Sequence, residues 1–455
     1  MADSSAGHVV LILGIIVAIL AAIMTTVNES RFDVIVIGGG SAGLTAALTA
    51  ALAGCNVLVL EKQDSVGGNS AKASSGVSAL SPGASKDDEA LFVKDVLSSG
   101  GGLSDPLLVE TLVHNSSQAI QFLSSLGVEF SDTLVQLGGH SVARTHTVVK
   151  GAVGWSIMSK LREAVDAHKR IMVKTRSSTK HLLMDHGKVT GCVYSDPDGY
   201  NHTLYASKGV ILATGGFGAN FTWISRYVDS PLYTTNGDFA MGDGILLGQD
   251  VGAQTKHLNQ VQIHPTAFID PENEDARSKI LAPEKLRGFG GILVSHQGNR
   301  FVNELSTRLV VSSKILSLPE KSAFLVLDRH AEKSVGPAMD FYKAKHLFKT
   351  CAGVDELSEQ LHIPRENLVQ SLVDLDHSSE LIYAKITPAV HYTMGGLAID
   401  IHARVLNDSN NQIEHLYAAG EVSAGVHGAN RLGGMSILEC IVFGQIAGNS
   451  AASSP

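Results

Sequence analysis

The chain of 455 residues is long enough for one large α/β domain and a second, smaller one, and its 44% hydrophobic content excludes a disordered polymer. With 17% charged residues and a net charge of -9, it has no basic excess with which to hold nucleic acid. Cys55, Cys192, Cys351 and Cys440 form no CxxC pair and none of the 19 histidines falls in HExxH, so no local spacing encodes a zinc site, an iron–sulfur cluster or a c-type haem, and no metal is expected.

Along the chain, Val9 to Val27 is a run of 19 residues without a charge, enough to span roughly 28 Å as a helix. Met1 to His8 carries no Lys or Arg, which disfavours a secretory signal or a mitochondrial presequence and favours a retained transmembrane helix, residues 9–27. The expectation is a membrane-tethered protein of the endoplasmic reticulum or mitochondrion. Arg31 is the only flanking positive charge, and the Asn-x-Ser/Thr triplets at Asn28, Asn115, Asn201, Asn220 and Asn407 occur often by chance, so the side of the membrane stays open.

Phe32 to Ile37 reads as an apolar strand, Ser41 to Ala53 as an alanine-rich helix and Val57 to Leu60 as a buried strand ending in Glu61, a βαβ unit. Lys86 to Ser99, Pro106 to Leu126 and Trp155 to His168 have helical spacing. Ile171 to Thr175, Lys180 to Met184 and Val189 to Tyr194 read as strands, the last two joined by a turn at Asp185 to Lys188. Gly209 to Ala213 predicts a central strand, and a similar one, Leu416 to Ala419, arrives only near the C-terminus. A dinucleotide-type domain, residues 32–259 and 392–455, is therefore expected to be interrupted by an insert, residues 260–391.

Gly38-Gly39-Gly40-Ser41-Ala42-Gly43 fits GxGxxG between a strand and a helix, where glycines admit a pyrophosphate to the backbone and the helix N-terminus stabilises its charge. Glu61, 18 residues after Gly43, ends the next strand, where its carboxylate can accept from an adenosine ribose. The pair indicates a dinucleotide but leaves NAD and FAD undistinguished.

Gly67-Gly68-Asn69-Ser70, Ala213-Thr214-Gly215-Gly216 and Ala418-Ala419-Gly420-Glu421 together resemble the flavoproteins of the fumarate reductase and succinate dehydrogenase family. Gln262-Ile263-His264-Pro265-Thr266, Glu284-Lys285-Leu286-Arg287-Gly288, Arg300 to Glu304 with Thr307-Arg308, His391 to Gly396, and His427 to Gly434 extend the resemblance in order from Phe32 to Gly448, most of all to the single-chain eukaryotic fumarate reductases.

The resemblance implies a Rossmann-like FAD-binding domain interrupted by an inserted α+β capping domain that carries substrate residues. It implies contacts to FAD from Gly38, Gly40, Ala42, Gly43, Glu61, Asn69, Ser70, Ser75, Gly76, Ala213, Asp243, Tyr392, Glu421, Ser436 and Ile437. Asn69 to Gly76 contains no histidine of the kind that links the flavin in succinate dehydrogenases, so the FAD is expected to be non-covalent. The implied reaction is reduction of fumarate to succinate: His391 and Arg431, with Gly434 nearby, hold one carboxylate, His264 holds the other, and Arg308 donates the proton, supplied through Arg287 and Glu284. A dianionic substrate requires cationic donors at both ends, which agrees with these residue types. Electrons come from an external donor, a free reduced flavin or a redox protein. Pro283 and Leu309 depart from the family pattern, in which some relatives place a hydroxyl before the Glu and an acidic residue usually follows the arginine. The alternatives are a flavoprotein acting on another activated alkene, as urocanate reductases do, and an inactive membrane-tethered flavin-binding scaffold.

Overall fold

The computed structural model of the protein describes residues 31–81, 87–228, 233–335, 338–376 and 379–455. The apolar stretch Val9 to Val27 lies outside them, and among the described residues no helix is long and apolar enough to cross a membrane.

The first sheet begins with β1 (Arg31–Ile37), followed by α1 (Ser41–Leu52) and β2 (Val57–Leu60). Val34 to Ile37 and Val57 to Leu60 are buried without alternation, as strands covered on both faces must be. It continues with β3 (Ile171–Lys174), β4 (Ser178–Asp185), β5 (Lys188–Ser195) and β6 (Asn201–Leu212). The turn between β4 and β5 is His186-Gly187, both at positive φ, the conformation that matches the twist of a two-residue hairpin. The expected strand at Gly209 to Ala213 is thus the buried end of a longer one, whose polar first half, from Asn201, pairs with β5 in a hairpin.

The chain then builds a second, antiparallel sheet from β7 (Val261–Phe268), α2 (Glu284–Gly288), β8 (Ile292–Val294), α3 (Arg308–Leu316), β9 (Ala323–Asp328), β10 (Lys349–Cys351) and β11 (Leu381–Thr393), with strand order β7-β11-β9-β8 and β10 beside β11. Alternation along β9 sends Leu325 and Leu327 into one apolar cluster and Phe324 and Val326 into another, so both faces are covered. After it the chain returns with β12 (Arg404–Leu406), β13 (Gln412–Ala418) and α4 (Met435–Ala452), completing the order β12-β13-β5-β6-β1-β2-β3. The inner pairs β6–β1, β1–β2, β2–β3 and β13–β6 are parallel.

Helix α4 packs on α1 through two glycines four residues apart. A Cβ on Gly444 would lie 2.8 Å from Ala42 O and one on Gly448 2.5 Å from Ala46 O, so the backbones touch. The expected helix from Pro106 to Leu126 is two, Pro106–His114 and Ser116–Ser125. Asn115 separates them, its amide donating back to Thr111 O at 2.8 Å, a local bond that competes with helix continuation.

Candidate active site

The N-terminus of α1 meets the start of the cleft. Gly38 adopts φ 108° and a Cβ there would sit 2.4 Å from Ala213 O, while a Cβ on Gly43 would sit 1.9 Å from Gly38 O. These two glycines are required by strand–helix packing itself. Gly40 is different: the nearest protein atom to its Cβ position is Ser70 Oγ at 3.7 Å, so its bareness serves whatever lies in the cleft. It is also the N-cap of α1 and contributes no side-chain cap, which keeps that helix end receptive to an anion. Glu61, 7% exposed, accepts from Gly39 N and Gln63 N, both at 2.8 Å, and so ties the glycine loop to the end of β2.

From this loop a cleft runs past Asn69, Ser70, Ser75, Gly76, Ala213 and Asp243 to Arg308, His391, Tyr392, Glu421, Arg431, Gly434, Ser436 and Ile437. Its glycine-lined, helix-terminated start fits the pyrophosphate of FAD. Gly43, His264, Glu284 and Arg287 stand behind its walls. Asn69 is tied to Asn236 by a 2.7 Å bond to Oδ1 and accepts from Gly237 N at 3.0 Å. Asp243 opens a helix, residues 243–250, and pairs with Lys62 across the cleft. Glu421 is half-buried beneath Thr393, whose N and Oγ1 donate to it at 2.9 and 3.1 Å; desolvation pushes its carboxyl up to about 7.

At the far end, short structural elements concentrate cations. Arg308 opens α3, which Thr307 caps, and reaches Glu284 Oε2 with Nε at 2.8 Å and Gln262 Oε1 with Nη1 at 2.9 Å. Glu284 opens α2 and also accepts from Gly138 N at 2.8 Å. Burial raises its carboxyl, but Arg308 and Arg287 outweigh burial and hold it at about 2. Arg287 donates to Glu304 O, while its Nε and Nη2 are buried without partners among the described residues. Arg431 is stacked over Tyr392 with Cζ 4.4 Å from the ring centroid, and burial, reinforced by Arg308, lowers its guanidinium to about 10.

His391 contacts Thr235 Oγ1 through Nδ1 at 2.8 Å, and its ring meets that of His264 edge-on at a centroid distance of 5.1 Å. His264 is fully buried, its Nδ1 engaged by the backbone of Thr266, leaving Nε2 without a partner among the described residues. Burial and the nearby arginines push both imidazoles well below their ordinary range, so both are neutral near pH 7. Two neutral imidazoles and the buried guanidiniums of Arg287 and Arg431 therefore gather around Arg308, and Arg287, Arg431 and His264 each keep an orphaned nitrogen. Such a cluster is prepared to take in an anion, whose oxygens would satisfy the unpaired donors.

Leu309 is 64% exposed and points away from this cluster, so the residue after Arg308 takes no part in orienting it. Pro283 precedes α2 with φ -64°, a value its ring enforces at the helix entry. Sequence reasoning assigned no role to Lys62, Thr235, Asn236, Gln262 or the buried Glu439. It also missed a wall behind Gly433, whose carbonyl accepts from Ser78 Oγ at 3.0 Å and His140 Nε2 at 2.9 Å, with Arg144 between His140 and the carboxylates of Asp87 and Asp95.

Comparison with known proteins matches residues 33–437 to the family described as FAD binding domain. The chain is 35% identical to a fumarate reductase of Schizosaccharomyces pombe, over 95% of this chain and 91% of that protein. It is 36% identical to fumarate reductase 1 of Saccharomyces cerevisiae, over 93% and 99%. Among solved structures, the open conformation of a flavocytochrome c3 fumarate reductase superposes with a TM-score of 0.78 at 32% identity, covering 95% of this chain and 80% of that one.

Proposed function

The chain belongs to the FAD-binding flavoprotein family of the fumarate reductases, and from that premise we propose that it reduces fumarate to succinate with non-covalently bound FAD. The observation that carries the reading is the convergence of Arg308, Arg431 and His391, with His264 against His391, at one end of a cleft whose other end is the glycine loop of α1.

When bound and reduced, FAD supplies a hydride to one alkene carbon. Arg431 and His391 hold the carboxylate at one end of fumarate and His264 Nε2 holds the other. Anchoring both ends fixes the plane of the alkene and stabilises negative charge that develops toward one carboxylate. Arg308 delivers the proton to the second carbon. Arginine is a poor acid in water, with a pKa above ~12, so its proton must be replaced as it leaves. Glu284, in contact with Arg308 Nε at 2.8 Å, returns the proton, drawing on Arg287.

The test is anaerobic. Protein reduced with one equivalent of dithionite is expected to reoxidise its flavin on addition of fumarate and to release one succinate per flavin. Reoxidation by urocanate but not fumarate would move the substrate to another activated alkene, and reoxidation by neither would leave a scaffold.

Electrons reach the flavin from outside the chain, from free reduced flavin or a redox protein. The 19 uncharged residues from Val9 to Val27 act as a tether to the membrane of the endoplasmic reticulum or mitochondrion. Protein beginning at Asn28 is expected to leave the membrane fraction while keeping its flavin and its turnover. Loss of flavin or aggregation of the shortened protein alone would make this segment part of the folded core.

A further inference from the structure

Beneath the substrate end of the cleft lies a buried carboxylate that the reaction does not use. Glu439, on α4, is 1% exposed between Leu438 and Cys440, and Ile441, Val442 and Phe443 of the same helix are also buried. A charge in such surroundings is costly unless hydrogen-bonded. Its Oε2 accepts from the Tyr392 hydroxyl at 2.5 Å and from His427 Nε2 at 3.0 Å. On the other side of this unit stands Arg431. Its hydrogen bond from Nη1 goes to Leu432 O at 3.2 Å, its Nε has no partner among the described residues, and its plane rests on the Tyr392 ring.

We propose that Glu439 is a positioning residue for the substrate-binding arginine: with His427 it fixes the Tyr392 ring, and the ring holds Arg431 ready for a carboxylate. The arrangement has a chemical logic. A carboxylate bonded directly to Arg431 would occupy the donors that the substrate needs. A phenol hydrogen-bonded to that carboxylate is more electron-rich, so its face holds the guanidinium more firmly by cation–π attraction while the edge donors stay free. Glu439 thus acts on Arg431 one side chain removed. The inference rests on fumarate being the ligand of Arg431.

The test is a cycle of Glu439→Gln, Tyr392→Phe and the double variant, each compared with the parent holoenzyme for flavin content, fumarate KM, kcat and calorimetric Kd for succinate. Glu439→Gln is expected to keep its flavin and its kcat within about threefold, and each single variant to raise the KM and Kd of its flavin-loaded fraction about tenfold, the size of one lost charge-assisted hydrogen bond. The double variant is expected to match either single one, because both act on one contact. Multiplying effects, or unchanged KM and Kd in flavin-loaded Glu439→Gln, would overturn the proposal. Should Glu439→Gln fail to fold, Tyr392→Phe decides alone, since it removes only the hydroxyl; an unchanged succinate Kd there refutes the mechanism. A parent protein that neither turns over fumarate nor binds succinate would instead refute the substrate reading.

Discussion

Replacing Arg308 by alanine is expected to slow reoxidation of the reduced flavin by saturating fumarate about a hundredfold to ten-thousandfold, the usual cost of removing a positioned general acid, while FAD stays bound. The geometry makes the effect specific to the chemical step. Arg308 is held at Nε by Glu284 and at Nη1 by Gln262, which leaves Nη2 without a protein partner among the described residues. It belongs to α3, which lies outside the first sheet that carries the glycine loop. Stopped-flow measurement at saturating fumarate separates proton delivery from binding. Reoxidation as fast as in the parent would assign the proton to another group and remove Arg308 from the centre of the mechanism.

Replacing Arg431 by alanine is expected to act on the other quantity. Loss of a buried charged partner typically costs ~2 to 4 kcal/mol, so the fumarate KM and the succinate Kd should rise about thirtyfold to several hundredfold. Arg431→Lys should recover only part of this, because an ammonium keeps the charge but lacks the planar fork and stacks poorly on Tyr392. The lowered pKa of about 10 does not alter this near neutrality, where the guanidinium remains protonated. A succinate Kd unchanged by Arg431→Ala would place the carboxylate elsewhere.

The first sheet could be read from sequence wherever burial on both faces left an unbroken apolar run, as in Val34 to Ile37, and wherever glycine punctuated a strand end, as at Gly38 and Gly215. The first half of β6 escaped because its residues alternate between exposed and buried, and its pairing in a hairpin with β5 is not a run of apolar residues. Among the candidate site residues, those with a motif of their own could be singled out in sequence, and the fold gathers most of them along one cleft. Glu439 was not, although a lone carboxylate inside Ile-Leu-Glu-Cys-Ile-Val-Phe is a visible anomaly: periodicity places it on a buried helix but does not reveal which hydroxyl waits opposite. Arg144 escaped for the same reason, since Asp87 and Asp95 become its partners only once the chain has folded back over 57 and 49 residues. Leu309 shows the converse. It adjoins Arg308 in sequence, yet its side chain is 64% exposed while that of Arg308 is buried.

The late return of β13 to the first sheet also has a consequence for biosynthesis. Val210, Ile211 and Leu212 of β6 face Leu416, Tyr417 and Ala418, whose codons are read about two hundred residues later. At roughly 5 to 20 residues per second, ribosomes would need roughly 10 to 40 seconds to cover that interval. Meanwhile this apolar strand edge emerges from the exit tunnel without its mate, the condition in which nascent chains aggregate or recruit chaperones. The insert's antiparallel sheet has all its strands in one continuous stretch, whereas β13 and α4, which complete the first sheet and one wall of the flavin cleft, are synthesised last.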